Sequence, residues 1–307
     1  MRFPFRVGLC LGGGGARGLA HIGVLKVLEK EGIPIDLIAG TSMGAIIGGA
    51  FALHRNTERL EEVALVLAER KELFHIESIS TTHDAFEESS AKNKLRRIAD
   101  VARTLYFYNR QAARSHIMDS TGIEAIIREL VGDYEFKDTQ IPFCAVSVDL
   151  MTGEEVLLSE GELARALLAS ASIPGILPPV SYGRRLLIDG GIRGAVPSDV
   201  MKKLHADLTI GVNTERWVER RSFKHGIDIV LQADSIKTCE LNRVKLEACD
   251  IPIQPKLRHV SWAHFSKAEE CIRRGEEATQ VVLPWLKKLV AQRRRKVLFK
   301  RLITLRF

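Results

Sequence analysis

The chain has 307 residues, of which 46% are hydrophobic and 27% charged, a composition typical of a globular protein that excludes a largely disordered chain. Its net charge of +7 is concentrated after residue 280, where nine Lys or Arg occur without an acidic residue, so the rest is near neutral and a nucleic-acid partner is not expected. The five cysteines are odd in number and form no CxxC pair, which predicts reduced thiols, a cytoplasmic location and no disulfide framework.

The first 70 residues alternate between predicted strands and helices. Strands are expected at 6–11 and 35–39, and helices at 19–31, 43–53 and 57–70. Gly32 should end the first helix and Asn56 should cap the third. This alternation predicts a parallel sheet covered by helices.

Regular elements resume after a polar stretch over 76–120. A Thr121–Glu124 capping box predicts a helix that ends at Gly132. Further strands are expected at 143–150, 155–158, 186–188 and 208–212, and further helices at 162–170, 228–247 and 266–290. The sequence therefore predicts an α/β fold with three layers, α/β/α, around a mostly parallel central sheet. We expect one domain over 5–285, its motifs within about 7–200, and a basic C-terminal tail over 286–307.

The segment Gly40-Thr41-Ser42-Met43-Gly44 lies between a predicted strand and a predicted helix. This is the pattern of a nucleophile elbow, in which a sharp turn exposes a serine hydroxyl at the carboxyl end of a sheet. Gly40 and Gly44 leave room for the tight turn, and the helix N-terminus favours negative charge there. Ser42 is therefore the candidate nucleophile.

The glycine-rich run from Gly12 to Gly18 follows the first strand and allows two interpretations. Its free N–H groups could bind the phosphates of a dinucleotide, but that fold needs an acid at the end of the second strand, and Asp36 lies near its start. The N–H groups of Gly13, Gly14 and Gly15 could instead form an oxyanion hole beside Ser42, which we favour. Arg17 is expected to brace the loop.

A candidate base follows the strand at 186–188. Asp189 precedes Gly190 and Gly191, which permit close approach of other segments. An aspartate within hydrogen-bond reach of a serine hydroxyl can accept its proton during attack.

Together these three motifs resemble the patatin-like phospholipase family of serine lipid acyl hydrolases, over about residues 5–215. The resemblance implies a patatin-like variant of a serine hydrolase fold, with a Ser42–Asp189 dyad, an oxyanion hole at Gly13 to Gly15, and supporting roles for the other motif residues. These are Gly12, Arg17, Gly18, Gly40, Gly44, Gly190 and Gly191. It also implies a lipid ester substrate of the phospholipid or lysophospholipid class, and neither cofactor nor metal. One position departs from the family, which often has Asn where this chain has Ala195.

Three other interpretations remain open from the residues. A Ser-Asp-His triad would draw its histidine from those after Asp189, namely His205, His225, His259 and His264. A regulatory protein could keep this fold without catalysis. A dinucleotide-binding protein is the least favoured.

The last residues, 287–307, alternate basic blocks with apolar ones. Such a segment can lie on an anionic bilayer at the inner face of the membrane, each cation near the surface contributing about 1 kcal/mol. A solvated charged terminus, or one packed on its own domain or on a second subunit, is the alternative.

Overall fold

The computed structural model describes residues 5–70, 118–215, 218, 223 and 226–304. Within these residues eight strands form one sheet: β1 (Val7–Leu11), β2 (Leu37–Thr41), β3 (Phe143–Asp149), β4 (Glu155–Leu158), β5 (Val180–Tyr182), β6 (Arg185–Asp189), β7 (Leu208–Val212) and β8 (Ile251–Ile253). The described α-helices are α1 (Ala20–Lys30), α2 (Met43–His54), α3 (Thr57–Ala68), α4 (Thr121–Val131), α5 (Leu163–Ser170), α6 (Ser198–Lys203), α7 (Gly226–Glu247) and α8 (Ala268–Thr304). Short 3₁₀ turns occupy Gly15–Leu19, Phe136–Asp138, Gly190–Arg193 and Phe265–Lys267.

The sheet has the order β5-β6-β3-β2-β1-β7-β8, and β4 also pairs with β3. The pairs β3-β2, β2-β1, β1-β7 and β7-β8 are parallel, whereas β4, β5 and β6 pair antiparallel. The central strands are buried along their whole length, which explains why they read as continuous apolar runs. The predicted mostly parallel sheet is confirmed.

Helices cover both faces of the sheet. Because side chains alternate along a strand, Leu9 and Leu11 of β1 pack among helices α1, α2 and α8, whereas Cys10 faces the other side. There it packs with Val200 and Met201 of α6. These two cores give the three-layer α/β/α arrangement that the sequence predicts.

Several element boundaries differ from the sequence-based expectation. The second half of the glycine-rich run belongs to a 3₁₀ turn over Gly15–Leu19, so α1 starts at Ala20. Two short strands, β5 and β8, and the short helix α6 were not predicted. Most of the polar stretch over 76–120 lies outside the described residues.

The predicted capping box at Thr121–Glu124 does not form, so that prediction is wrong. Thr121 is already helical, Ser120 occupies the N-cap position without a side-chain cap, and the Thr121 N–H donates to the Asp119 carboxylate at 2.9 Å. The Glu124 carboxylate instead accepts from Arg128 one turn later in α4. The Asn56 cap of α3 is confirmed by a 2.8 Å hydrogen bond from the Arg59 N–H.

The final helix runs continuously through residue 286, where the sequence suggested a boundary. Leu286 is fully buried, and Lys287 forms an ion pair with Glu31. Arg293 donates to Asp250 and to the Asp207 carbonyl, just before β8 and β7 begin. The basic end of α8 therefore lies at the amino edge of the parallel strands. No described helix is long and apolar enough to cross a membrane.

Candidate active site

Ser42 lies at the turn between β2 and α2, at the carboxyl edge of the sheet. Its φ of 55° and ψ of −127° are unusual for a residue with a side chain, as expected at a strained strand-to-helix turn. Serine at an N-cap normally accepts a hydrogen bond from its own helix, but the Ser42 side chain makes no such bond. Its hydroxyl is therefore left available for other partners.

The two glycines of the elbow are required by close packing. A Cβ on Gly44 would lie 2.2 Å from the Leu11 carbonyl oxygen, and one on Gly40 would lie 2.4 Å from the Gly44 carbonyl oxygen. No real Cβ tolerates such distances from backbone atoms. These glycines let α2 start directly against β1 and the glycine-rich loop, which brings Ser42 next to that loop.

Strand β3 brings Asp189 to Ser42. Thr41, the last residue of β2, pairs with Val146, and Asp189, the last residue of β6, pairs with Ser147, the next residue of β3. Since β4 occupies the other edge of β3, strands β2 and β6 meet end to end. The Asp189 carboxylate lies next to the Ser42 hydroxyl, which favours its ionised form, and both residues are buried.

The surroundings of Asp189 favour a proton acceptor near neutral pH. Burial raises the pKa of Asp189 from its usual 3.8 to about 6, and the nearby Glu215 carboxylate adds to the rise. The neighbouring Ser42 hydroxyl and a 2.7 Å hydrogen bond from the Gly191 N–H oppose this rise in pKa. A base with such a pKa is ionised at pH 7 yet still able to bind a proton.

The glycine-rich loop borders Ser42. A Cβ on Gly13 would lie 3.3 Å from the Ser42 Cβ, and Gly14 has a φ of 146°, which side-chain-bearing residues rarely adopt. The N–H groups on either side of these positions are bound, that of Gly12 to Val212 and that of Ala16 to Trp262. Among the described residues no acceptor is recorded for the N–H groups of Gly13, Gly14 and Gly15. These three N–H groups are therefore the candidates for an oxyanion hole.

The other predicted motif residues support this arrangement. Arg17 is buried, and its Nε donates to the Gly14 carbonyl at 3.3 Å. Gly18 lies against the Met43 side chain, and Gly190 lies against the Val146 carbonyl. The structure thus brings all three sequence motifs into one site.

Sequence reasoning missed four residues of this site. Ser170 accepts from the Ser42 N–H at 3.0 Å and donates to the Val146 carbonyl at 2.6 Å. Asn242, on α7, accepts from the buried N–H of Ala195 at 2.7 Å, so an asparagine from another element supports the loop where the family often has its own. Glu215 and Thr214 follow β7 beside the glycine loop.

The alternative histidine triad finds no counterpart in the described part of the chain. His259 binds Glu270, His264 accepts a 3.4 Å hydrogen bond from the Ser261 N–H, and His205 is exposed. None of these three is recorded as a partner of Asp189, which contacts Ser42 directly. His225 lies outside the described residues.

The dinucleotide interpretation lacks its acidic residue. Asp36 accepts a 2.7 Å hydrogen bond from the Val7 N–H at the amino edge of β1. The glycine-rich loop lies at the opposite edge. Over residues 5–70, 118–215 and 226–304, no cluster of three His, Cys, Asp or Glu side chains could hold a metal ion.

Comparison with known proteins places the chain in a family. A family model described as patatin-like phospholipase matches residues 9–202. An uncharacterised NTE family protein of Mycobacterium tuberculosis is 34% identical over 208 residues, which cover 68% of this chain and 49% of that protein. Lysophospholipase NTE1 of Meyerozyma guilliermondii is 30% identical over 220 residues, covering 72% of this chain and 13% of that protein.

The alignments thus span about half the length of the mycobacterial relative and a smaller share of the fungal one. The crystal structure of VipD from Legionella pneumophila aligns with 92% of this chain and 67% of that chain, at 14% identity and a TM-score of 0.46. Since the family model covers more than half of the sequence and all three motifs, this chain belongs to the patatin-like phospholipase family.

Proposed function

We propose that the protein hydrolyses acyl ester bonds of lipids through a Ser42–Asp189 dyad. The observation that carries the proposal is that the strained turn after β2 places Ser42 next to the buried Asp189, whose pKa is raised to about 6. A non-catalytic protein on the same fold has no need of a strained, buried serine against a buried acid. Phospholipids and lysophospholipids are the proposed substrates, since the family and the fungal lysophospholipase act as precedents.

The proposed reaction proceeds through an acyl-enzyme. Ser42 Oγ attacks the ester carbonyl carbon while its proton passes to the Asp189 carboxylate. The negative charge that develops on the carbonyl oxygen is stabilised by the free N–H groups of Gly13 to Gly15. Collapse of this intermediate expels the alcohol, which takes the proton from Asp189. A water molecule, deprotonated by Asp189, then attacks the acyl-enzyme and releases the fatty acid and the Ser42 hydroxyl.

The assay that tests this proposal measures fatty-acid release from lysophospholipids and from short p-nitrophenyl esters by the full chain. The proposal requires turnover of both substrates that depends on Ser42. Turnover of neither would leave the non-catalytic interpretation. Titration with NAD and NADP in a calorimeter should show no binding, whereas a measurable affinity would favour the dinucleotide interpretation.

The pH dependence of activity follows from Asp189. Because the base must be ionised and its pKa is about 6, kcat/KM should fall by about tenfold per pH unit below that value and level off above it. Measuring kcat/KM for a p-nitrophenyl ester across pH 5 to 8 checks this. If kcat/KM stayed constant as the pH fell towards the usual aspartate pKa of 3.8, the conclusion that burial raises the pKa of Asp189 would be contradicted.

Contact of the 287–307 segment with an anionic membrane is a separate proposal. Residues 294–296 of α8 are exposed cations, Arg294, Arg295 and Lys296. They lie beyond Arg293 at the amino edge of the sheet, whereas Ser42 lies at the carboxyl edge, so a bilayer bound there would not deliver substrate directly to Ser42. Such a contact would recruit the protein to the membrane rather than align its active site.

Vesicle co-sedimentation tests this contact. Replacing Arg294, Arg295 and Lys296 with Gln should weaken binding to anionic vesicles at low salt by about 100-fold, since each cation contributes about 1 kcal/mol. The matched control replaces three exposed cations elsewhere, Arg184, Arg185 and Lys256, and should bind as the unaltered protein does. Hydrolysis of soluble esters should be unchanged in both variants. Equal binding by both would show that the α8 cations are not the membrane contact.

A further inference from the structure

Three consecutive carbonyl groups of the glycine-rich loop are each held by a side chain. The Gly12 carbonyl accepts from His21 Nε2 at 2.7 Å, the Gly13 carbonyl from the Thr214 hydroxyl at 2.6 Å, and the Gly14 carbonyl from Arg17 Nε at 3.3 Å. The described residues contain no cis peptide bond. In a planar trans peptide the carbonyl of one residue and the N–H of the next point in opposite directions. Holding the three carbonyls therefore fixes the directions of the N–H groups of Gly13, Gly14 and Gly15.

We propose that Thr214 is a positioning residue for the oxyanion hole, acting through the Gly13–Gly14 peptide. This inference rests on the proposed hydrolase function and goes beyond it, since Thr214 belongs to none of the three motifs. Thr214 never touches the substrate in this scheme. Its hydroxyl holds the Gly13 carbonyl so that the Gly14 N–H keeps one direction.

The fold explains how a residue about two hundred positions away reaches the loop. Strand β7 runs parallel to β1, with Val212 opposite Leu11, and the Gly12 N–H donates to the Val212 carbonyl at 2.9 Å. The chains continue side by side beyond the last strand residues, which places Thr214 against Gly13 and Gly14. Thr214 is only 1% exposed, so water does not compete for its hydroxyl.

The Gly13–Gly14 peptide needs such an external contact. A peptide between two glycines has little intrinsic preference for one orientation, because neither residue has a Cβ. Gly14 has a φ of 146°, and a Cβ on it would lie 2.4 Å from Thr214 Oγ1, so loop and threonine are closely packed. Arg17 of the 3₁₀ turn and His21 of α1 hold the neighbouring peptides, whereas Thr214 joins the loop to the segment that follows β7.

The test compares Thr214→Val, Thr214→Ser and Thr209→Val with the unaltered protein. Valine keeps the shape of threonine but cannot donate, and serine keeps the hydroxyl. Thr209 is the matched control, because its hydroxyl also donates a hydrogen bond to another segment, at 3.1 Å to Asp250, but from β7 at the opposite edge of the sheet. Thermal unfolding of each variant separates loss of folding from loss of function.

Thr214→Val should lower kcat for a p-nitrophenyl ester by about 10- to 100-fold, up to the loss caused by removing one oxyanion-hole donor, with KM little changed. A trifluoromethyl ketone, which forms an oxyanion adduct with the serine, should bind more weakly by a similar factor. Thr214→Ser and Thr209→Val should each stay within about threefold of the original kcat. Full activity of folded Thr214→Val, or an equal loss in Thr209→Val, would overturn the inference.

Crystal structures of the unaltered protein and of Thr214→Val provide a readout independent of activity. The inference requires the Gly13–Gly14 peptide to rotate or become disordered in the valine variant. If the Gly13–Gly14 peptide has the same orientation in Thr214→Val as in the unaltered protein, the role of Thr214 is wrong, whatever the activity of the variant. If the unaltered protein lacks Ser42-dependent activity while the peptide does rotate, the proposed hydrolase function fails, and with it the oxyanion hole; Thr214 would then hold the conformation of the loop alone.

Discussion

Replacing Ser42 with alanine is expected to lower kcat/KM for p-nitrophenyl esters and lysophospholipids by about four orders of magnitude or more, because no other group can form the acyl-enzyme. The fold should be preserved, since the Ser42 hydroxyl caps no helix and its backbone contacts with Ser170 and α2 do not involve the side chain. Circular dichroism and thermal unfolding verify this.

A second serine provides the matched control for this variant. Ser172 is fully buried, and its hydroxyl donates to the Leu168 carbonyl one turn earlier. Ser172→Ala should retain activity within about threefold while losing a little stability. If Ser42→Ala kept most of its activity, another nucleophile would have to be sought and the dyad would be wrong.

Replacing Asp189 with asparagine is expected to have two opposite effects. Turnover should fall by several orders of magnitude, because the amide has the shape of the carboxylate but cannot accept the Ser42 proton. Stability at neutral pH should rise. The raised pKa means that ionised Asp189 destabilises the folded state, by up to about 3 kcal/mol for a shift from 3.8 to about 6.

The sign of this effect can be measured as a function of pH. Between pH 3.8 and about 6 the folded protein binds a proton on Asp189 that the unfolded chain does not, so stability falls as the pH rises through this window. The asparagine variant does not lose stability in this way, because its amide does not ionise. Its advantage in chemical denaturation should therefore be small near pH 4 and greatest above pH 7. If the asparagine variant were less stable than the original both near pH 4 and above pH 7, the destabilising burial of a charged Asp189 would be contradicted.

The local features of the site could be predicted from the sequence. The elbow at Ser42 depends on neighbouring glycines, a preceding apolar strand and a following helix, all within a dozen residues. Gly32 and Asn56 likewise act on adjacent backbone, by a positive φ and by a hydrogen bond to the Arg59 N–H. Such features can be predicted from the sequence because the residues that interact are close together in the chain.

The supporting residues could not be predicted, because their roles depend on strand order. Thr214 reaches the glycine loop only because β7 pairs with β1, and Asn242 reaches Ala195 only because α7 packs beside α6. Asp189 meets Ser42 only because β6 continues along β3 where β2 ends. The capping box at Thr121 failed for the opposite reason, since a local pattern was overridden when Arg128 attracted Glu124 and Asp119 bound the Thr121 N–H.

Labelling with a fluorophosphonate tests the central claim most directly, because this reagent reacts with serines that a nearby base has activated and needs no knowledge of the natural lipid. Intact-mass measurement followed by peptide mapping locates the adduct. The Ser42–Asp189 dyad predicts one adduct per chain, on Ser42, absent from Ser42→Ala and much slower to form in Asp189→Asn. Failure of the folded, unaltered protein to react, or an adduct on another serine, would contradict it.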